Sequence, residues 1–118
     1  MTKRPDGALE HDIMAVLWAA DGPLQPSDIK ERLDAPLAYT SVATVLTRLH
    51  VKGLVTRTES GRAFAYEAVV DEAQLATRRI GDVLSTVTDR EAVLAGFVRS
   101  LSKKEAKALR TLLELSRG

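Results

Sequence analysis

The residues of this chain best suited to chemistry lie on one side of a helical segment that runs from Tyr39 to about Lys52. Thr40, Ser41, Thr44, Thr47 and Arg48 share that side, short hydroxyls and one long cation with no acidic residue among them. A solvated helix face usually mixes acids with bases. A face without acids can lie against phosphates and base edges without like-charge repulsion. Hydroxyls near a helix N-terminus can meet base edges or phosphate, and the first amides of the helix favour an anion there. The opposite side carries Val42, Val45, Leu46 and Leu49 at i, i+3, i+4, i+7 spacing and must be buried. An ordinary threonine-rich surface helix is the competing reading.

A second cluster follows directly. In VTRTESGRAFAYEAV, Arg57 falls on the first arm of an expected hairpin and Arg62 just past its turn, where a cation can reach a nucleic-acid backbone or minor groove. Phe64 and Tyr66 share strand parity and are expected to anchor the hairpin to the core. A basic hairpin alone is weak evidence; placed after an acid-free helix it gains weight.

Material for catalysis is scarce. His11 and His50 are the only histidines, and His50 lies in the Tyr39 segment, where packing or phosphate contact explains it. Neighbours such as His11 and Asp12 sit about 100° apart around a helix, too splayed for one shared site. There is no phosphate-cradling glycine loop, no G-x-S-x-G and no paired-histidine metal motif. The absence of cysteine rules out disulfides, thiolate metal sites and thiol nucleophiles. The chain is therefore expected not to be an enzyme, and to need no cofactor and no metal.

The elements that position these residues can be read from periodicity. Ala8 to Ala20 reads as an amphipathic helix ending at Asp21-Gly22-Pro23, after a short extended piece around Leu24 a second helix covers Ser27 to Leu33, and Asp34-Ala35-Pro36 is a break. The third helix ends at Gly53, a natural left-handed cap. Val55 to Glu59 and Ala63 to Val69 read as strands around Ser60-Gly61. Helices are then expected over Asp71 to Val87, Asp89 to Leu101 and Lys103 to Ser116, the last two opened by capping boxes, Thr88 with Glu91 and Ser102 with Glu105. The fold class is mainly α with a small β-hairpin, in winged helix-turn-helix order, with a division into residues 1–70 and a helical region 71–118.

Totals agree with this plan. At 118 residues, 45% hydrophobic and 28% charged, the chain suits one or two small units with a real core. Its net charge of +1 hides an uneven distribution. Met1 to Ala38 has 4 basic against 7 acidic residues, Tyr39 to Tyr66 has 4 against 1, and Glu67 to Gly118 has 9 against 8. A polyanion contact is thus sought first in the middle segment. No apolar run is long enough to span a membrane, and the basic start MTKRPDG lacks the apolar stretch of a signal peptide. A cytoplasmic protein without membrane insertion is expected.

The segments LEHDIMAVLW, LAYTSVATVLTRLHVKGLV and GRAFAYEAVV together resemble the penicillinase repressor (BlaI/MecI) family of winged-helix regulators over nearly the whole chain. The resemblance implies a homodimer that represses genes by binding inverted repeats in double-stranded operator DNA, often with TACA/TGTA half-sites. It places Tyr39, Thr40, Ser41 and Thr44 in the major groove, with Thr47 on the same face, and sets Arg48, Lys52, Arg57 and Arg62 on the backbone. It makes 71–118 the dimerisation region, where two apolar stripes run through Val93, Leu94, Phe97, Val98 and Leu101, then Ala106, Leu109, Leu112 and Leu113. Such stripes are too large to be left in water; folding back on the first unit is a further use for them. Members that respond to β-lactams are cut at an Asn–Phe bond by a membrane metalloprotease sensor. The corresponding place here is Gly96-Phe97, where Phe97 also reads as a core aromatic. Copper-responsive members sense metal through C-terminal cysteines, which this chain lacks.

Two other readings are separable. A winged helix used only for protein contact would show an acidic or apolar outer face on its third helix. A regulator that senses a small ligand would need a pocket between its two units.

Overall fold

The computed structural model describes residues 7–34 and 36–117. The basic amino-terminal start and Ala35 of the expected break lie outside the described residues. The elements are α1 (Ala8–Ala19), α2 (Pro26–Arg32), α3 (Tyr39–Val51), β1 (Val55–Ser60), β2 (Ala63–Ala68), α4 (Glu72–Thr86), α5 (Arg90–Ser100) and α6 (Lys103–Ser116). Each lies within one or two residues of its expected bounds. The chain divides into two compact units, with the division inside α4 between Leu75 and Ala76.

In the first unit the apolar stripes of the three leading helices meet. Ile13, Met14, Ile29, Val42, Leu46 and Leu49 are fully buried, and Leu17, Leu24, Val45, Leu54, Val55, Tyr66 and Leu75 complete the same cluster. Helix α2 starts on Pro26, with Gln25 and Asp28 forming a reciprocal capping box. Helix α3 stops because Gly53 takes φ 77°, a left-handed conformation open to glycine at no steric cost. The Leu54 amide then donates to the Leu49 carbonyl at 3.0 Å, which turns the chain directly into β1.

β1 and β2 are antiparallel, in a register that sets Val55 opposite Ala68, Arg57 opposite Tyr66 and Ser60 opposite Ala63. The two-residue turn between them begins at Gly61, φ 66°. The extended piece around Leu24 is a third, minimal strand: Leu24 and Tyr66 exchange backbone hydrogen bonds of 2.9 and 2.7 Å. Gln25 adds hydrogen bonds from Nε2 to the Ser60 carbonyl and hydroxyl, both at 3.1 Å. The hairpin is thereby tied to the α1–α2 connection as well as to α3.

The chain leaving β2 is held against α1. Trp18 Nε1 donates to the Val70 carbonyl at 2.7 Å, and the His11 ring stands edge-on to Trp18 with Nε2 3.1 Å from a Glu72 carboxylate oxygen.

In the second unit α5 and α6 bury no residue. The expected capping box is present at α6, where Ser102 and Glu105 bond reciprocally. At α5 the expectation fails. Asp89, not Thr88, is the cap, its carboxylate accepting from the Ala92 amide at 3.0 Å. Both residues suit a cap, and the charged oxygen one position later is better placed against the positive end of the helix.

Candidate nucleic-acid interface

Helix α3 presents an exposed face bearing Tyr39, Thr40, Thr44, Thr47 and Arg48, with Ser41 half-buried at its edge. Tyr39 is 47% exposed, although its ring could have served the core. No side chain caps the helix at Ala38, in contrast to α2, α5 and α6. The amino-terminal end of α3 is therefore open to an anion or a hydrogen-bond acceptor.

Two of the threonines have committed hydroxyl protons. Thr44 Oγ1 donates to the Thr40 carbonyl at 2.8 Å and Thr47 Oγ1 donates to the Ala43 carbonyl at 3.0 Å. Since a carbonyl oxygen can only accept, what remains for an approaching ligand at these positions is a methyl group and hydroxyl lone pairs. The face thus changes character along its length, with open donors at the start and apolar or accepting groups one and two turns on.

The hairpin supplies cations beside it. Arg62 is exposed in the turn, while Arg57 is half-buried with its guanidinium 4.2 Å from the centre of the Phe64 ring. The two aromatics of β2 do not share a fate. Tyr66 is buried at 4% exposure and anchors the strand, as expected, but Phe64 is 37% exposed and forms the surface on which Arg57 lies. Strand parity places both on one face; Phe64 is simply nearer the tip, beyond the reach of the core.

Lys52 is placed differently from the arginines. Its ammonium meets both carboxylate oxygens of Glu10, at 3.0 and 3.2 Å, and so is directed toward α1. Glu10 is the buried charged residue among those described, and nothing in the local sequence of either residue signals a pairing across 42 positions. His50 is half-buried.

A family model described as penicillinase repressor matches residues 7–115. The chain belongs to the penicillinase repressor family. It is 38% identical over 118 residues to the transcriptional regulator BlaI of Mycobacterium tuberculosis, an alignment covering 95% of this chain and 86% of that protein. Among solved structures, the DNA-binding domain of the repressor BlaI is similar with a TM-score of 0.50 and 26% identity, covering 62% of this chain and 92% of that domain. The PcaV transcriptional regulator of Streptomyces coelicolor, solved with its natural ligand, matches at TM-score 0.51 and 21% identity over 99% of this chain and 78% of that one; it shares the fold. The winged helix-turn-helix assignment read from element order holds.

The second unit of this penicillinase repressor family member presents the residues expected to make a dimer as exposed apolar surface. Val93, Leu94, Phe97 and Val98 on α5 are 37 to 52% exposed, and Leu112 and Leu113 on α6 are 62% and 57% exposed. Leu101 and Leu109 are half-buried. Between α4 and α5 lies a groove of about 320 Å³ lined by Arg79, Ile80, Val83, Leu84, Val93, Leu94 and Phe97. The Gly96-Phe97 bond sits inside α5, and a Cβ added at Gly96 would meet only the end of the Arg99 side chain, at 3.9 Å. Packing gives no reason for glycine at this place. Among the described residues no group of three or more His, Asp or Glu side chains could hold a metal ion, and no helix is long and apolar enough to cross a membrane.

Proposed function

We propose that this protein is a transcriptional repressor that binds double-stranded operator DNA sequence-specifically, as a homodimer on inverted repeats. The observation that carries the reading is the exposed, acid-free outer face of α3 beside a basic hairpin, in a chain of the penicillinase repressor family. A face meant only for protein contact would be acidic or apolar, and this one carries hydroxyls and Arg48. In this reading Tyr39, Thr40, Ser41, Thr44 and Thr47 approach base edges in the major groove, and Arg48, Arg57 and Arg62 meet phosphates. The protein acts by occupying DNA, in the cytoplasm, and catalyses nothing.

The dimer follows from the cost of exposed apolar surface. The side chains of α5 and α6 that face water would be removed from it by a second copy, with residues 71–118 as the dimerisation region. Two third helices then enter major grooves about one turn of DNA apart, ~34 to 36 Å. Because a single half-site binds poorly, whatever separates the protomers releases the operator. Proteolysis by a membrane-bound sensor between Gly96 and Phe97 would do so, since it removes α6 and cuts α5. That bond must first leave its helix, and glycine lowers the cost of unwinding by about 1 kcal/mol relative to alanine.

The test is fluorescence anisotropy with an inverted repeat of TACA/TGTA half-sites and a scrambled duplex over a series of salt concentrations. The reading expects two protomers per duplex and a preference of about a thousandfold or more for the repeat. Failure to bind any duplex even at low salt overturns it.

A further inference from the structure

Lys52 is the C-cap residue that follows α3, directly before the left-handed Gly53, and Glu10 lies in the first turn of α1. Each charge complements the dipole of its own helix, carboxylate at an N-terminus and ammonium at a C-terminus. The carboxylate side chain is only 10% exposed and both of its oxygens accept from the Lys52 ammonium, which is itself 43% exposed. From sequence Lys52 is one more basic residue on a DNA-facing segment. For it to serve a phosphate, it would have to abandon a buried carboxylate and leave that charge unpaired in the protein interior, which is costlier than the gain from one exposed phosphate contact.

We propose that Glu10 and Lys52 are positioning residues, a two-oxygen clamp that fixes the C-terminal end of α3 against α1 and so sets the angle at which the outer face of α3 meets DNA. The inference rests on the DNA-binding reading above and refines it: Lys52 acts through the placement of Thr44, Thr47 and Arg48 and not through a phosphate of its own. Such a pair adds little net stability over neutral or apolar substitutes, and its use is to permit one geometry.

Direct contact and positioning differ in salt dependence. Each phosphate neutralised by a protein cation contributes about 0.9 to the slope of log affinity against log salt. Affinity for a duplex selected by the wild-type chain is measured over a salt series for Lys52→Met and for the double variant Glu10→Gln/Lys52→Gln, with each titration corrected for the folded fraction. The double variant replaces the ion pair with two amides that can still hydrogen-bond, and it carries the test should Lys52→Met fold poorly. The clamp predicts that Lys52→Met binds about tenfold more weakly with an unchanged slope, and that the double variant recovers to within about threefold of wild type, also with an unchanged slope. A slope shallower by about 1.8 in both variants, about 0.9 for each of the two protomers on the duplex, without recovery in the double, makes Lys52 a phosphate ligand and overturns the proposal. So does wild-type affinity in folded Lys52→Met, which leaves the pair no part in binding. A wild-type chain that binds no duplex overturns the functional reading itself, and this assignment with it.

Discussion

Thr44 offers the sharpest test of how α3 meets base edges. Its hydroxyl proton is donated to the Thr40 carbonyl at 2.8 Å, so toward a base it presents a methyl group and lone pairs. If the methyl group makes the contact, against the 5-methyl of a thymine for example, Thr44→Val keeps the contact and Thr44→Ser loses it. Burying one methyl-sized group is worth about 0.8 kcal/mol. A two-fold dimer loses it twice, giving about 1.6 kcal/mol, roughly a 15-fold weaker complex for the serine variant. The valine variant should remain within about threefold of wild type. Thr44 is exposed and outside the core, and valine and threonine have similar helix propensity, so neither change should disturb folding. Anisotropy titrations on a selected duplex, repeated with uracil in place of each thymine, give both numbers: the uracil that weakens wild-type binding should have no further effect on the serine variant. A valine variant weaker than the serine variant would refute the argument, because it would mean that the hydroxyl reads the base.

Leu112→Asp, at a side chain 62% exposed on α6, should dissociate the dimer at micromolar concentration in sedimentation and lower operator affinity more than a hundredfold, while circular dichroism of the first unit stays intact. Gly96→Ala should stabilise α5 by about 0.5 to 1 kcal/mol, since the added Cβ meets nothing closer than the Arg99 side chain at 3.9 Å; urea unfolding followed by helical ellipticity reads this, and a destabilised variant would contradict it. The Glu105 carboxyl is held below its ordinary pKa of 4.5 by the Ser102 amide first and the Ser102 hydroxyl second. A group with a lowered folded-state pKa stabilises the fold above its unfolded value and loses that contribution as the pH falls through the folded value. The α6 cap is therefore complete at neutral pH and is lost as the pH falls through the folded-state value, which lies below 4.5. In an NMR titration Ser102→Ala should move the Glu105 midpoint back upward.

Much of this architecture is legible in the sequence because local signals are strong where the chain turns. Gly53 and Gly61 require left-handed φ values, Pro26 opens α2, and the four apolar residues of α3 fall at helical spacing. These signals placed every element within one or two residues. What escaped depends on contacts between distant residues. The extended piece at Leu24 was legible but its partner Tyr66, which makes it a strand, was not, and Lys52 reads as one more basic residue until Glu10 is brought beside it by the packing of α1 on α3. Phe64 and Tyr66 show the limit of parity: one face of a strand can run from core to solvent within two residues when the strand projects from the body as a wing. The outer face of α3 was legible as a set of residue types. The direction of its hydroxyl protons was not, since it follows from helix carbonyls one turn back.

The central claim is that a two-fold dimer reads two half-sites through α3. Selection of binding sites by the full chain from a random duplex library tests this without assuming an operator. The account predicts enrichment of an inverted repeat whose half-sites are centred about 10 to 10.5 base pairs apart, or a multiple of that spacing, with two protomers bound per duplex. An enriched site lacking two-fold symmetry, or no enrichment over the starting library, would contradict it.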